Sequence, residues 1–238
     1  MKKIALSLAL LYTVTGCGNP TESLPVTATK EGRSTDVPKA HSIDVTYNQT
    51  INSIPLQKVK NPEKEKVIEN KKIDNAEIAI YQSRTIDNQI FASLIKGSTA
   101  YGIGEIGYGD MRDFPIEEVH VLGKTYIKII GATGANSPVT YYVLLDSPPP
   151  STLCIDAHTV EADVDEDGIK EIVATVGTAA TTTIYKLQEN KIVASNLNEL
   201  MKAQMVTYNP ETNTFQVQKT NNELTEWKFQ NNKLQLVQ

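Results

Sequence analysis

The sequence predicts an all-β protein built from repeated antiparallel units of about 42 residues, a small or partial propeller-like array preceded by a flexible N-terminal tether. Three observations carry this. From Ala76 onward, short runs rich in β-branched and aromatic residues are each closed by Gly, Asn, Asp, Ser or Pro. Several of these runs recur at an offset of 42 or 43 residues, as expected of units that bury an apolar face only against their neighbours. Residues 18 to about 60 are rich in Thr, Ser, Pro, Asn and Lys and have no sustained hydrophobic period.

Residues 1–16 are read as an export signal. Lys2 and Lys3 give a positive start, and Ile4 to Val14 form an apolar stretch too short to span a bilayer as a helix. The stretch ends in Val14-Thr15-Gly16-Cys17, which resembles the bacterial lipobox. That resemblance implies lipidation of Cys17 and a chain held by its lipid on the extracytoplasmic face of a bacterial cell membrane, where two or three acyl chains anchor stably. Removing Lys2 and Lys3 takes the net charge from -5 to -7, which argues against nucleic acid as a partner and against a direct electrostatic hold on anionic lipid. With Cys17 lipidated, Cys154 has no intramolecular partner, so the domain is not disulfide-stapled. The apolar setting Leu153-Cys154-Ile155 reads as a buried structural thiol.

Residues 17–75 form the expected linker, and a coil of about 40 residues reaches roughly 35 Å. Asn61-Pro62-Glu63, followed by Val67, Ile68 and later lysines, suits a short helix to about Lys72, against the alternative of a solvated charge run. Residues 76–238 form the all-β repeat domain, large enough for one substantial core. Strands are expected at residues 77–81, 89–95, 125–130, 139–145, 172–176, 182–187, 215–218 and 224–229. Gly102-Ile103-Gly104-Glu105-Ile106-Gly107 is read as a glycine-rich strand rather than a phosphate loop, because no helix signal follows it.

The repeat is explicit. Ile129 to Gly134, then Tyr141-Tyr142, align without a gap onto Ile172 to Gly177, then Ile184-Tyr185, at an offset of 43. Tyr185 to Ile192 reappears as Trp227 to Leu234 at an offset of 42, each copy passing through an Asn-Lys turn. Four units follow: 77–110, 116–157, 158–200 and 201–238.

Asp163-Val164-Asp165-Glu166-Asp167-Gly168-Ile169-Lys170-Glu171 sets three alternating carboxylates before a glycine and a fourth three residues after it, a pattern suited to a hard cation that takes six or more oxygens. Read as an EF-hand, the loop would need Glu at its twelfth position; that position is Ala174, within a strand-like run. Shifting back 43 residues places His120, Leu122 and Lys124 opposite the three aspartates and Lys128 opposite Glu171. The last unit offers Asn209 to Asn213, also no cage, so one loop is expected to bind and the others to turn. A metal-free acidic turn is the alternative, although carboxylates packed so tightly repel unless neutralised.

The loop and its flanks, from Val160 to Tyr185, resemble the calcium loop of integrin-type FG-GAP propeller repeats, D-x-D-x-D-G-x-x-D, with Glu171 in place of the last Asp. The resemblance implies one structural calcium, side-chain ligands from Asp163, Asp165, Asp167 and Glu171, and the carbonyl of Ile169.

No catalytic constellation is legible. His41 lies in the tether, His120 alternates within a strand and His158 approaches the acidic loop, each without a supporting nucleophile or acid. Glu105, Asp110, Asp113, Glu117 and Glu118 form an acidic stretch that reads as solvated loop or as the lining of a cleft. The leading reading is a non-enzymatic binding or assembly module for a protein or wall glycan. The alternative is an extracytoplasmic hydrolase of cell-wall or polysaccharide substrate, and a third is an accessory of an envelope complex.

Overall fold

The computed structural model describes residues 41–59, 64–84, 86–220 and 223–237. Among the described residues, the chain forms four antiparallel sheets of five strands, none closed on itself. A leading segment carries four short strands, β1 (Ser42–Asp44), β2 (Gln49–Ile51), β3 (Ile54–Pro55) and β4 (Gln57–Val59). Four meanders follow. The first holds β5 (Lys64–Ile73), β6 (Ala76–Ser83), β7 (Gln89–Lys96) and β8 (Thr99–Tyr108), and the second β9 (Ile116–Val121), β10 (Lys124–Gly134), β11 (Ser137–Leu144) and β12 (Ser151–Ile155). The third holds β13 (His158–Ala162), β14 (Glu171–Val176), β15 (Thr181–Gln188) and β16 (Lys191–Asn196). A one-turn helix, α1 (Leu197–Met201), leads to the fourth: β17 (Met205–Asn209), β18 (Thr214–Gln218), β19 (Leu224–Gln230) and β20 (Lys233–Leu236).

The leading segment completes every sheet. Its strands pair antiparallel with the fourth strand of each meander, in reverse order: β1 on β20, β2 on β16, β3 on β12 and β4 on β8. Thr50 thus lies opposite Val193, and Lys58 opposite Tyr101. This overturns part of the sequence reading. Residues 42–59 are a strap rather than linker, and the ordered domain begins well before Ala76. The expected helix is also corrected: residues 64–73 are β5, paired with β6 from Ile73↔Ala76 onward, while residues 61–63 fall outside those described. The reason is tertiary. A helix of this length is marginal alone, whereas β6, with Ala76, Ile78 and Ile80 buried, offers a row of backbone groups that must be paired.

All eight expected strands are present within β6, β7, β10, β11, β14, β15, β18 and β19, give or take one or two terminal residues, and the glycine-rich stretch lies in β8. The segments aligned at the offset of 43 are the second and third strands of consecutive sheets, and the 42-residue repeat is the third strand, turn and fourth strand of the last two. Their turns explain the sequence. Glu189-Asn190 and Asn231-Asn232 are two-residue connections with all four residues at positive φ (50°, 61°, 54° and 60°), the twist that two-residue hairpins require and asparagine tolerates.

Three apolar clusters join neighbouring sheets. Ile78, Ile80 and Leu94 of the first sheet pack with Ile127, Ile129 and Val143 of the second. Leu122, Tyr142 and Leu153 of the second pack with Ile172 and Ala174 of the third. Val173 and Ile184 of the third pack with Val206, Phe215, Trp227 and Phe229 of the fourth, and Val45 of the strap joins them. The sheets approach closely: a Cβ on Gly131 would fall 2.0 Å from the carbonyl oxygen of Ile106, which explains glycine at that point of β10. Between the second and third sheets, the buried Lys128 ammonium lies 2.9 Å from Glu161, which also accepts from the Tyr142 hydroxyl. Cys154 departs from expectation. It is free and exposed, because β12 turns Leu153 and Ile155 inward and the residue between them outward.

Candidate metal centre

The first and second strands of the third sheet are joined by an eight-residue loop, 163–170, where the equivalent connections elsewhere have two to four residues. The loop is shaped by its own carboxylates. Asp163 accepts from the amides of Asp167 at 3.0 Å and Gly168 at 2.9 Å, and Asp167 Oδ1 accepts from the amide of Ile169 at 2.8 Å. Gly168 sits at φ +90°, where a Cβ would strain the backbone. Glu171, fully buried at the start of β14, closes the loop by accepting from the amide of Val164 at 3.1 Å.

Neighbouring elements hold the loop from three sides. Leu122, in the turn of the second sheet, donates its amide to Lys170 O at 2.8 Å. Asn213, in the first turn of the fourth sheet, donates its side-chain amide to Asp163 O at 3.1 Å and accepts from the Tyr208 hydroxyl at 2.8 Å. From β19, Lys228 pairs with Glu166 at 2.7 Å.

The main neutralising charge comes from β15. The Lys186 ammonium donates to Asp165 Oδ2 and, at 2.7 Å, to Asp167 Oδ2, and lies 3.9 Å from Glu171 Oε1. Burial pushes the Lys186 pKa down, but the bonds to Asp165 and Asp167 outweigh it and raise it above the ordinary lysine value. At Asp167 partial burial also acts upward, and the bonds from Lys186 and the Ile169 amide overcome it, leaving that carboxyl below its usual range. Glu171 goes the other way. Burial first, and then the charge of Asp165, push its carboxyl up to about 8, against the pull of Lys186 and the Val164 amide.

The lysine does not satisfy the site. Its distance to Glu171 Oε1 is beyond a hydrogen bond. Glu171 Oε1 and Asp165 Oδ1 remain buried with no hydrogen-bond partner, although the side chains are only 0% and 7% exposed. Ligand oxygens of Asp163, Asp165 and Glu171 lie within 4.8 Å of one another. Oxygens bound to one calcium at about 2.3–2.6 Å are at most about 5 Å apart, so the set has the spacing and the hard, anionic character that ion takes. Of the five expected ligand residues, Asp163, Asp165 and Glu171 converge; Asp167 is turned to Lys186 and Ile169 N, and Ile169 contributes its amide to Asp167.

Sequence reasoning missed Lys186. The signal was present, because β14 and β15 pair with Ile172 opposite Tyr185, and one further step in that register sets Lys186 opposite Glu171. Asn213, remote in sequence, left no comparable trace. Cys17 lies outside the described residues.

The residues weighed for catalysis are scattered. His120 is exposed on β9 and meets Thr125 Oγ1 at 3.3 Å, and His158 is exposed at the start of β13. His41 precedes β1, where its carbonyl accepts the amide of Leu236. Asp110 pairs with Arg112 at 2.9 Å, Glu117 lies 3.4 Å from Lys128, Asp113 and Glu118 are exposed, and the carbonyl of Glu105 accepts from Tyr141 at 3.0 Å. No family model matches the chain, and neither a curated protein nor a solved structure matches it.

Proposed function

We propose that this chain is a lipid-anchored, extracytoplasmic β-scaffold, stabilised by one calcium ion at the 163–171 loop, that acts as a binding or assembly module for a protein or wall glycan. The single observation behind the calcium reading is the pair of buried, unpartnered carboxylate oxygens on Asp165 and Glu171, which one lysine ammonium leaves unsatisfied. Asp163, Asp165 and Glu171 would hold the ion, with Asp167 and the Ile169 carbonyl completing the set once Lys186 moves aside. Calcium would supply fixed positive charge and no chemistry, tying the loop to β14. The propeller-like arrangement belongs to the same reading: four meanders of like strand order, joined pairwise by apolar clusters, form a small open array.

A specific observation favours a second reading of the loop. Lys186 already bridges two aspartates, so an acidic turn closed by an internal cation accounts for part of the geometry without metal. Thermal melting of wild type and Asp165→Asn in calcium and in chelator separates the two.

For the scaffold itself, sedimentation of the full chain with purified wall glycan, with and without calcium, tests binding. Retention in the pellet with no soluble sugar released is the expected result. Release of soluble fragments would replace this reading with a hydrolase.

A further inference from the structure

We infer that Tyr47 of the strap is a further member of the cation site, so that occupancy of the loop and seating of the strap on the third sheet are one event. The inference rests on the calcium reading above.

Tyr47 lies between β1 and β2, with its ring packed against the cluster that contains Val164, the loop residue between Asp163 and Asp165. Among the described residues, five buried side-chain oxygens lack a hydrogen-bond partner, and the Tyr47 hydroxyl, Asp165 Oδ1 and Glu171 Oε1 are three of them. The Tyr47 hydroxyl sits in the field of the same groups. Burial, together with the charges of Glu171, Asp165 and Asp167, raises its pKa against the opposing pull of Lys186. Each of these three unpaired oxygens is costly to bury. A cation that withdraws Lys186 from its place and binds the carboxylates leaves the phenol hydroxyl to donate to a carboxylate oxygen or to a water on the ion.

The register carries the consequence outward. Two residues beyond the adjoining Asn48, Thr50 pairs with Val193 of β16, and Val193 pairs with Lys186 of β15, so strap, β16 and the lysine of the site lie in one row of the sheet. A hydroxyl fixed at Tyr47 therefore holds the strap next to the strand pair that it extends.

The test uses the full chain and calcium as the probe, with amide hydrogen exchange at residues 49–51 and calcium affinity as separate readouts. The expected result is exchange at least tenfold slower in saturating calcium than in chelator for wild type. In Tyr47→Phe, which keeps the ring, calcium should bind several-fold more weakly and the exchange difference should fall below twofold. Calcium binding to wild type with unchanged exchange at 49–51, or a Tyr47→Phe variant equal to wild type in both readouts, overturns the coupling and leaves the calcium site standing. No binding to wild type overturns both.

Discussion

The ammonium of Lys186 lies 2.7 Å from Asp167 Oδ2 and 3.9 Å from Glu171 Oε1, so one cation on β15 spans the tip of the acidic loop and its base. It stabilises the loop without metal and competes with any metal that enters. Lys186→Met should therefore lower the melting temperature in chelator and tighten calcium binding. One charge at about 4 Å is worth about 1 kcal/mol even at the dielectric of water, so the gain in affinity should be on the order of fivefold or more. Calorimetric titration measures it, and unchanged or weaker affinity would remove Lys186 from the site.

Glu171 gives the metal-free protein a pH dependence. Its folded carboxyl titrates near 8 and its free value is 4.5, so the folded state holds the proton more tightly. The stability this contributes is fully present below about pH 4.5 and is lost as pH rises through about 8. In chelator the protein should be more stable at pH 5.5 than at pH 8.5, by on the order of a few kcal/mol. Glu171→Gln should flatten that slope. Chemical denaturation at the two pH values decides it, and an equal slope in the variant would assign the effect elsewhere.

Gly131 tests the packing of the first two sheets. An alanine methyl there would meet the Ile106 carbonyl at 2.0 Å, and backbone yields less readily than a side chain. Gly131→Ala should cost about 2–3 kcal/mol and lower the melting temperature by roughly 5–10 °C. Gly134→Ala, whose nearest neighbours are Ser137 side-chain atoms at 3.5 Å, should cost much less.

How much of this was legible follows from where the interactions lie along the chain. The period-2 runs, the Asn turns and the acidic spacing are local, so strands such as β14 and β15 and the clustered carboxylates of Asp163, Asp165 and Glu171 could be read directly. The strap could not. Strands of two or three residues such as Gln49–Ile51 carry no periodicity, and they exist because β16 and its counterparts present unpaired edges remote in sequence. Likewise β5, with a charged, helix-compatible sequence, takes the conformation its partner β6 imposes.

The anchor proposal has its own test. Cys17→Ser should release the protein from membranes on fractionation if, as proposed, the Gly16-Cys17 junction is where the lipid is attached. Retention of an unlipidated variant at wild-type levels would contradict it.

Completion of the 163–171 loop by calcium is tested by thermal melting of wild type beside Asp165→Asn. Asp165 is chosen because one of its oxygens is unpartnered and the other faces Lys186, whereas Asp163 also builds the loop through the amides of Asp167 and Gly168. Calcium loops of extracellular modules bind with dissociation constants of about 0.1–1 mM; at that affinity, calcium at about ten to a hundred times the dissociation constant should add roughly 1.4–2.7 kcal/mol. Wild type should melt roughly 3–10 °C higher in calcium than in chelator, magnesium should do much less, and Asp165→Asn should lose the response. A wild type that melts at one temperature in calcium and in chelator, or an Asp165→Asn variant that shifts as far as wild type, would leave an acidic turn closed by Lys186 and no calcium site.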